Sequence, residues 1–174
     1  MEIKNANWDK AISFHGHACP GLAIGYRASM LALEKLGVKR SSDEELVAIV
    51  ENNSCSVDAI QVILGCSFGK GNLLFRDFGK QVFIIGNRNG EQALRVALRY
   101  GALRGGSREA RIEYILEAPE EQLFNISWVE ERLPQPARIY PTVQCSVCGE
   151  GVMEPRARLR ESKVICIPCL KQQS

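Results

Sequence analysis

Residues 14–29 read FHGHACPGLAIGYRAS, and two patterns meet at Pro20. Before it lies a short polar stretch holding both histidines of the chain, His15 and His17. After it, Leu22, Tyr26, Met30 and Leu33 recur at helical spacing until Gly37. Proline suits a first helical position, because its φ is already fixed and its missing N–H would have no partner there. The pattern therefore predicts a polar loop over 14–20 and a helix over about 20–36.

The same reading extends outward. Leu46–Val50 is a short apolar run with the β-branched content of a strand. The segment ENNSCSVDAIQVILGC (51–66) offers Ser54 as a helix N-cap, a face of Val57, Ile60, Ile63 and Leu64, and Gly65 near the end. NLLFRD (72–77) and QVFII (81–85) read as strands, residues 93–100 and 108–116 carry helical periodicity, and 124–129 reads as a strand. This order predicts an α+β or α/β layer with a small mixed sheet. LPQPARIYP (133–141) has three prolines in nine residues and resists regular structure. The expected division is a core domain over 1–134 and a module over 135–174.

With 174 residues, the chain suffices for one well-cored domain and a small appendage. Its 45% hydrophobic and 24% charged residues are ordinary for a globular protein. The net charge is +2, split as +3 from Arg138 onward and −1 before it. Four thiolates on one zinc would lower the tail to about +1, so a basic nucleic-acid surface is weakly supported. The start, MEIKNANWDK, lacks the apolar stretch of a secretory signal, and no segment approaches a membrane span. The expected location is the cytoplasm, where seven cysteines read as metal ligands or reactive thiols before disulfides.

Cys145 and Cys148 form one C-x-x-C, and Cys166 and Cys169 another, with 17 residues between. That spacing fits a zinc site. A two-residue gap lets a tight turn aim both sulfurs at one point, and Gly149 supplies a permissive backbone after the first pair. In VICIPCLKQQS (164–174) the second pair meets a helix N-terminus. About thirty residues bury too little apolar surface to fold unaided, so a metal would supply the difference. The competing readings are two redox pairs or free buried thiols.

His15, His17 and Cys19 stand at i, i+2 and i+4, which in an extended loop puts them on one side. Cys55 opens the next predicted helix, with Asp58 three residues on. Two helix N-termini carrying cysteines would then face one cleft. The plainer reading makes the histidines loop residues and the cysteines small core hydrophobes. Cys66 lies about 16 Å along the helix from Cys55 and is not expected to join it.

Two further stretches invite functional readings. GCSFGKGN (65–72) suggests a phosphate loop, but Gly65 and Gly69 are separated by only three residues and Lys70 precedes Gly71 instead of Ser or Thr. A turn is favoured over an anion site. RVALRYGALRGGSREAR (95–111) interleaves arginines with apolar residues and glutamate, as a solvated helix face does.

FHGHACPGLAIGYRAS, CSVDAIQVILGCSFGKGN (55–72) and the closing CSVCGE…CIPC together resemble the formylmethanofuran dehydrogenase FmdE family over nearly the whole chain. The resemblance implies a thioredoxin-like α+β domain, with a small mixed sheet flanked by helices, and a C-terminal treble-clef zinc finger whose ligands the four cysteines match. It also implies an N-terminal active site able to bind zinc. His17, Cys19 and Cys55 correspond to its ligands, with His15 beside them. The family name implies association with a molybdenum or tungsten redox enzyme of C1 metabolism. A homodimer is expected.

If the first site is catalytic, three ligands leave a position for water or substrate, and Asp58 is the one evident general base. The rival readings are a zinc-finger regulator docking on nucleic acid or protein, a thiol redox protein using Cys19 or Cys55, and a metal carrier without chemistry of its own. The absence of a C-x-x-C near the N-terminal fold weakens the second of these.

Overall fold

The computed structural model describes residues 6–90, 92–103 and 105–172. The readings that touch residues 1–5, Arg104 and the last two residues lie outside the described residues. The chain divides into two compact units, 1–137 and 138–174. No described helix is long and apolar enough to cross a membrane.

The first unit runs α1 (Ala6–His15), α2 (Pro20–Leu36), β1 (Leu46–Val50), α3 (Ser56–Leu64), β2 (Leu73–Phe75), β3 (Val82–Asn87), β4 (Ala93–Leu98), α4 (Arg108–Glu117), α5 (Glu120–Leu123) and β5 (Phe124–Val129). The strands form one mixed sheet in the order β2-β1-β3-β4-β5. β1 and β2 are parallel, and the remaining pairs are antiparallel. The expected α+β layer is therefore present.

Two corrections concern elements. Residues 93–98 are a strand, not a helix: Leu94 and Val96 face the main core, while Ala93 and Ala97 face the other side of the sheet. The pairs Ala93/Ala97 and Leu94/Leu98, four apart, mimic a helical repeat, and pairing with β3 and β5 overrides it. Residues 14 and 15 belong to α1, a helix that the sequence reading omits. Its apolar stripe is only Trp8, Ala11 and Ile12. Trp8 packs on Tyr26 with ring centroids 5.3 Å apart.

α2 is the central helix. Cys19 is its N-cap, with extended backbone, and its sulfur accepts from Leu22 N at 3.3 Å. Pro20 occupies the first turn, and Gly37 closes the helix in the left-handed conformation. The buried face runs through Leu22, Ala23, Tyr26 and Ala28. Each fully buried Leu of this kind stabilises by about 2 kcal/mol relative to exposure. Arg27 reaches sideways and donates to the carbonyls of Ile115, Leu116 and Ala118 at 2.6–2.8 Å, satisfying the otherwise open end of α4.

Gly21 and Gly25 on α2 give α3 its position. A Cβ at Gly25 would sit 2.0 Å from the Ser56 carbonyl oxygen, and one at Gly21 would sit 3.1 Å from Cys55 Cβ. The two backbones touch here because no side chain separates them. Ser54 is not the side-chain cap of α3. Its hydroxyl donates instead to Asn52 Oδ1 at 2.8 Å, and Cys55 is the N-cap residue without a side-chain bond.

The second face of the sheet holds Val47, Ile49, Val82, Ile84, Ala93 and Ala97. Irregular chain from 130 to 137 straps it. Glu131 pairs with Arg76 at 2.7 Å, and Leu133 would touch any Cβ at Gly86 at 2.7 Å. Arg88 donates to Pro134 O at 3.0 Å, and Ala137 N donates to Glu44 Oε2 at 2.9 Å. The segment expected to begin a free linker at 135 is thus tied to the core until 137.

The second unit contains two hairpins, β6 (Thr142–Gln144) with β7 (Gly151–Met153) and β8 (Ala157–Arg160) with β9 (Lys163–Cys166), followed by α6 (Ile167–Gln172). Its small core is Cys145, Ile165, Cys166 and Cys169.

Candidate metal centres

Cys145 and Cys148 lie in the turn of the first hairpin, and Cys166 and Cys169 at the junction of β9 and α6. The four sulfurs lie within 4.8 Å of one another. Cys148 and Cys166 Sγ are 3.9 Å apart. A tetrahedron of thiolates at 2.3 Å from zinc has edges of ~3.8 Å, and a disulfide would need about 2.05 Å. The donor set fits zinc. Backbone N–H groups of Cys148, Cys166 and Val147 pull the Cys145 thiol down to about 6, whereas the hydrogen bond from Cys166, with burial, pushes Cys169 up to about 12. Sulfurs this close oppose one another's ionisation, and a dication removes that opposition.

In the first unit, His15 ends α1 and Gly16 turns the chain with φ +94°. The turn folds His17 back beside His15, with ring centroids 4.6 Å apart. Donor atoms of His15, His17 and Cys19 all lie within 4.8 Å. A helix end and a glycine turn thus bring them together in place of an extended loop. His15 Nε2 stands 3.7 Å from Cys19 Sγ, against ~3.5 Å for a sulfur and a nitrogen sharing a tetrahedral ion. Its other nitrogen, Nδ1, faces Asp58 Oδ2 at 2.7 Å. A proton on Nδ1 leaves the Nε2 lone pair toward the sulfur, the arrangement in which a carboxylate orients a ligating imidazole. The donor chemistry fits a borderline or soft divalent ion.

The expected members fall out as follows. His15 is a full member of the three-residue group. Asp58 stands behind it and is engaged with it, so it is not a free general base. Cys55 lies beside Cys19, outside that group. Burial first, then the hydrogen bond and charge of Cys19, push its thiol upward. Cys66 is fully buried, directs its S–H at Leu46 O at 3.5 Å, and is pushed up to about 12 by burial. The 65–72 loop is structural: Lys70 Nζ donates to Asp43 O at 2.6 Å, and Asn72 Oδ1 accepts from Ser67 N at 2.9 Å.

The network around Asn52 went unread in the sequence. Asn52 Oδ1 accepts from Ser54 and Ser56, and Gln81 bonds both serines at 2.8 and 3.0 Å. It fixes the residues on either side of Cys55. The run of Asn and Ser at 52–56 was its only sequence signal.

Comparison with known proteins accords with this geometry. The family described as FmdE, molybdenum formylmethanofuran dehydrogenase operon, matches residues 14–125, and a prokaryotic dksA/traR C4-type zinc finger matches 138–172. The chain belongs to the FmdE family. It is similar in fold to a tungsten formylmethanofuran dehydrogenase FmdE-like protein from Syntrophus aciditrophicus, with a TM-score of 0.71, 23% identity, and coverage of 94% of this chain and 90% of that one. It is also 32% identical to a probable S-adenosyl-L-methionine-binding protein of Archaeoglobus fulgidus, over 92% of this chain. The chain spans only 51% of that relative's length.

Proposed function

We propose that this protein holds a transition-metal ion at His15, His17 and Cys19 and works with a molybdenum- or tungsten-type redox enzyme of C1 metabolism. The C-terminal zinc holds its own unit together. The convergence of three donors, one oriented by Asp58, carries the reading of the first site. The family's association with a formylmethanofuran dehydrogenase operon supports the choice of partner. Three protein ligands leave a position on a four-coordinate ion for an exogenous ligand, and Cys55 stands close enough to Cys19 to influence that position.

Metal analysis tests the site. The intact protein should hold two equivalents. Replacing both His17 and Cys19 by Ala should remove one and leave the four-cysteine zinc. Two undiminished equivalents in that variant would overturn the assignment. Co-purification with a molybdenum or tungsten enzyme tests the partner.

A second reading concerns the zinc unit. Arg156, Arg158, Arg160 and Lys163 cluster along its second hairpin, beside Leu159, which is 75% exposed. This surface suits docking on nucleic acid or an acidic protein, and nucleic-acid binding that weakens steeply with salt would favour it.

A further inference from the structure

β3 begins and β4 ends at the same end of the sheet, where the 51–56 segment carries Cys55 to the start of α3. An open cleft of about 410 Å³ lies there, between Lys80–Val82 and the chain that leaves β4. We propose that this cleft binds a small molecule joining a carboxylate or phosphate to a flat apolar body, and presents it to the His15–His17–Cys19 group. The proposal rests on the metal reading above.

The lining specifies the ligand. Lys80 and Arg99 supply two positive charges, and no acidic side chain lines the cleft. Neither cation forms an ion pair among the described residues, although one Arg99 nitrogen donates to Glu121 O at 3.2 Å. The remaining surface is mainly apolar, from Val82, Leu98, Tyr100 and Leu103. Tyr100 is fully solvent-exposed and Leu103 is 37% exposed, so an aromatic ring and an aliphatic side chain stand open at the rim. Apolar walls with a few charged groups suit an amphiphilic anion of small-molecule size.

Both walls are tied to the metal group. On one side, Gln81 Oε1 accepts from Ser56 Oγ at 3.0 Å and Gln81 Nε2 donates to Ser54 Oγ at 2.8 Å. These serines flank Cys55. On the other side, the chain leaving β4 leads into α4, where Arg108 Nη2 donates to Ala18 O at 2.6 Å. Ala18 lies between His17 and Cys19. The cleft and the metal group therefore share one rigid frame.

The test uses the full zinc-loaded chain, with 2-naphthoate as the probe and uncharged 2-naphthamide as its control, by calorimetry. The naphthoate should bind at least tenfold more tightly than the amide, and its affinity should fall as KCl is raised. Lys80→Ala with Arg99→Ala should weaken it about tenfold, the range for two partly exposed charge contacts. Both side chains are exposed, and an unchanged unfolding midpoint verifies that the variant is folded. With Co²⁺ in the first site, naphthoate should shift the cobalt absorption bands. Equal affinities of acid and amide, or an unaffected double variant, would overturn the cleft proposal. Binding without a cobalt shift would overturn the presentation to the metal. Co²⁺ stoichiometry in the same samples reports separately on the metal reading, so the two can fail independently.

Discussion

His15 Nδ1 lies 2.7 Å from Asp58 Oδ2, joining the last residue of α1 to the first turn of α3 across 43 positions of sequence. The contact fixes the imidazole's rotation and leaves Nε2 facing Cys19. Replacing Asp58 by Asn removes the anion and keeps the shape. The first site's metal affinity should fall by about 10–100-fold, the usual cost of losing such a supporting carboxylate. A competition titration with a chromophoric chelator measures it, and the zinc of the second unit should be unchanged.

Gly25→Ala should be severely destabilising, because its Cβ would lie 2.0 Å from the Ser56 carbonyl oxygen, a backbone atom that yields only if α3 moves. A loss of about 3 kcal/mol or more is expected in chemical denaturation. Gly69→Ala, with nothing within 4 Å of the added carbon, should change stability by less than about 0.5 kcal/mol.

The Cys66 thiol predicts an alkaline weakness. Burial raises it from 9.0 to about 12, so the folded state holds the proton that the unfolded state gives up. Its contribution is fully present below about pH 9 and is lost as pH rises from there toward 12. The slope from this group alone is at most about 1.4 kcal/mol per pH unit. Urea unfolding midpoints of the wild type and Cys66→Ala between pH 8.5 and 10.5 should show a shallower decline in the variant.

Cys166→Ser should release one zinc equivalent and unfold the second unit, since four thiolates form most of its small core. Loss of hydrogen-exchange protection confined to residues 138–172 is the expected signature.

Truncation tests the strap. A chain ending at Ala137 keeps Glu131, Leu133 and the bonds to Pro134 and Ala137, and should unfold cooperatively. A chain ending at Val129 uncovers the Val47–Ile84 face of the sheet and should lose about 2–4 kcal/mol. Equal urea midpoints for the two would show that the strap contributes nothing.

The parts legible from sequence were those governed by local chemistry. Pro20 and Gly37 punctuate α2, Val57, Ile60 and Ile63 mark α3, and two C-x-x-C pairs state their own geometry. β4 misled because Ala93, Leu94, Ala97 and Leu98 satisfy both periods, and only partners distant in sequence decide between them. α1 was missed because three apolar residues give too weak a stripe, and Trp8 owes its burial to a ring on another helix. At the site, the histidines and Cys19 could be grouped by proximity in sequence. The exchange of places between His15 and Cys55 could not, because it depends on where Gly21 and Gly25 let α3 settle.

Cys19 sulfur does two jobs with one atom: it accepts the first free N–H of α2 and lies among the donors of the metal group. A hydroxyl accepts the same N–H equally well, but is a far harder donor. A serine at this position would therefore leave the fold intact while abolishing the preference for a soft ion. Metal choice in this protein is separable from its architecture by exchange of a single atom, so an inactive relative with an unaltered shape lies one substitution away.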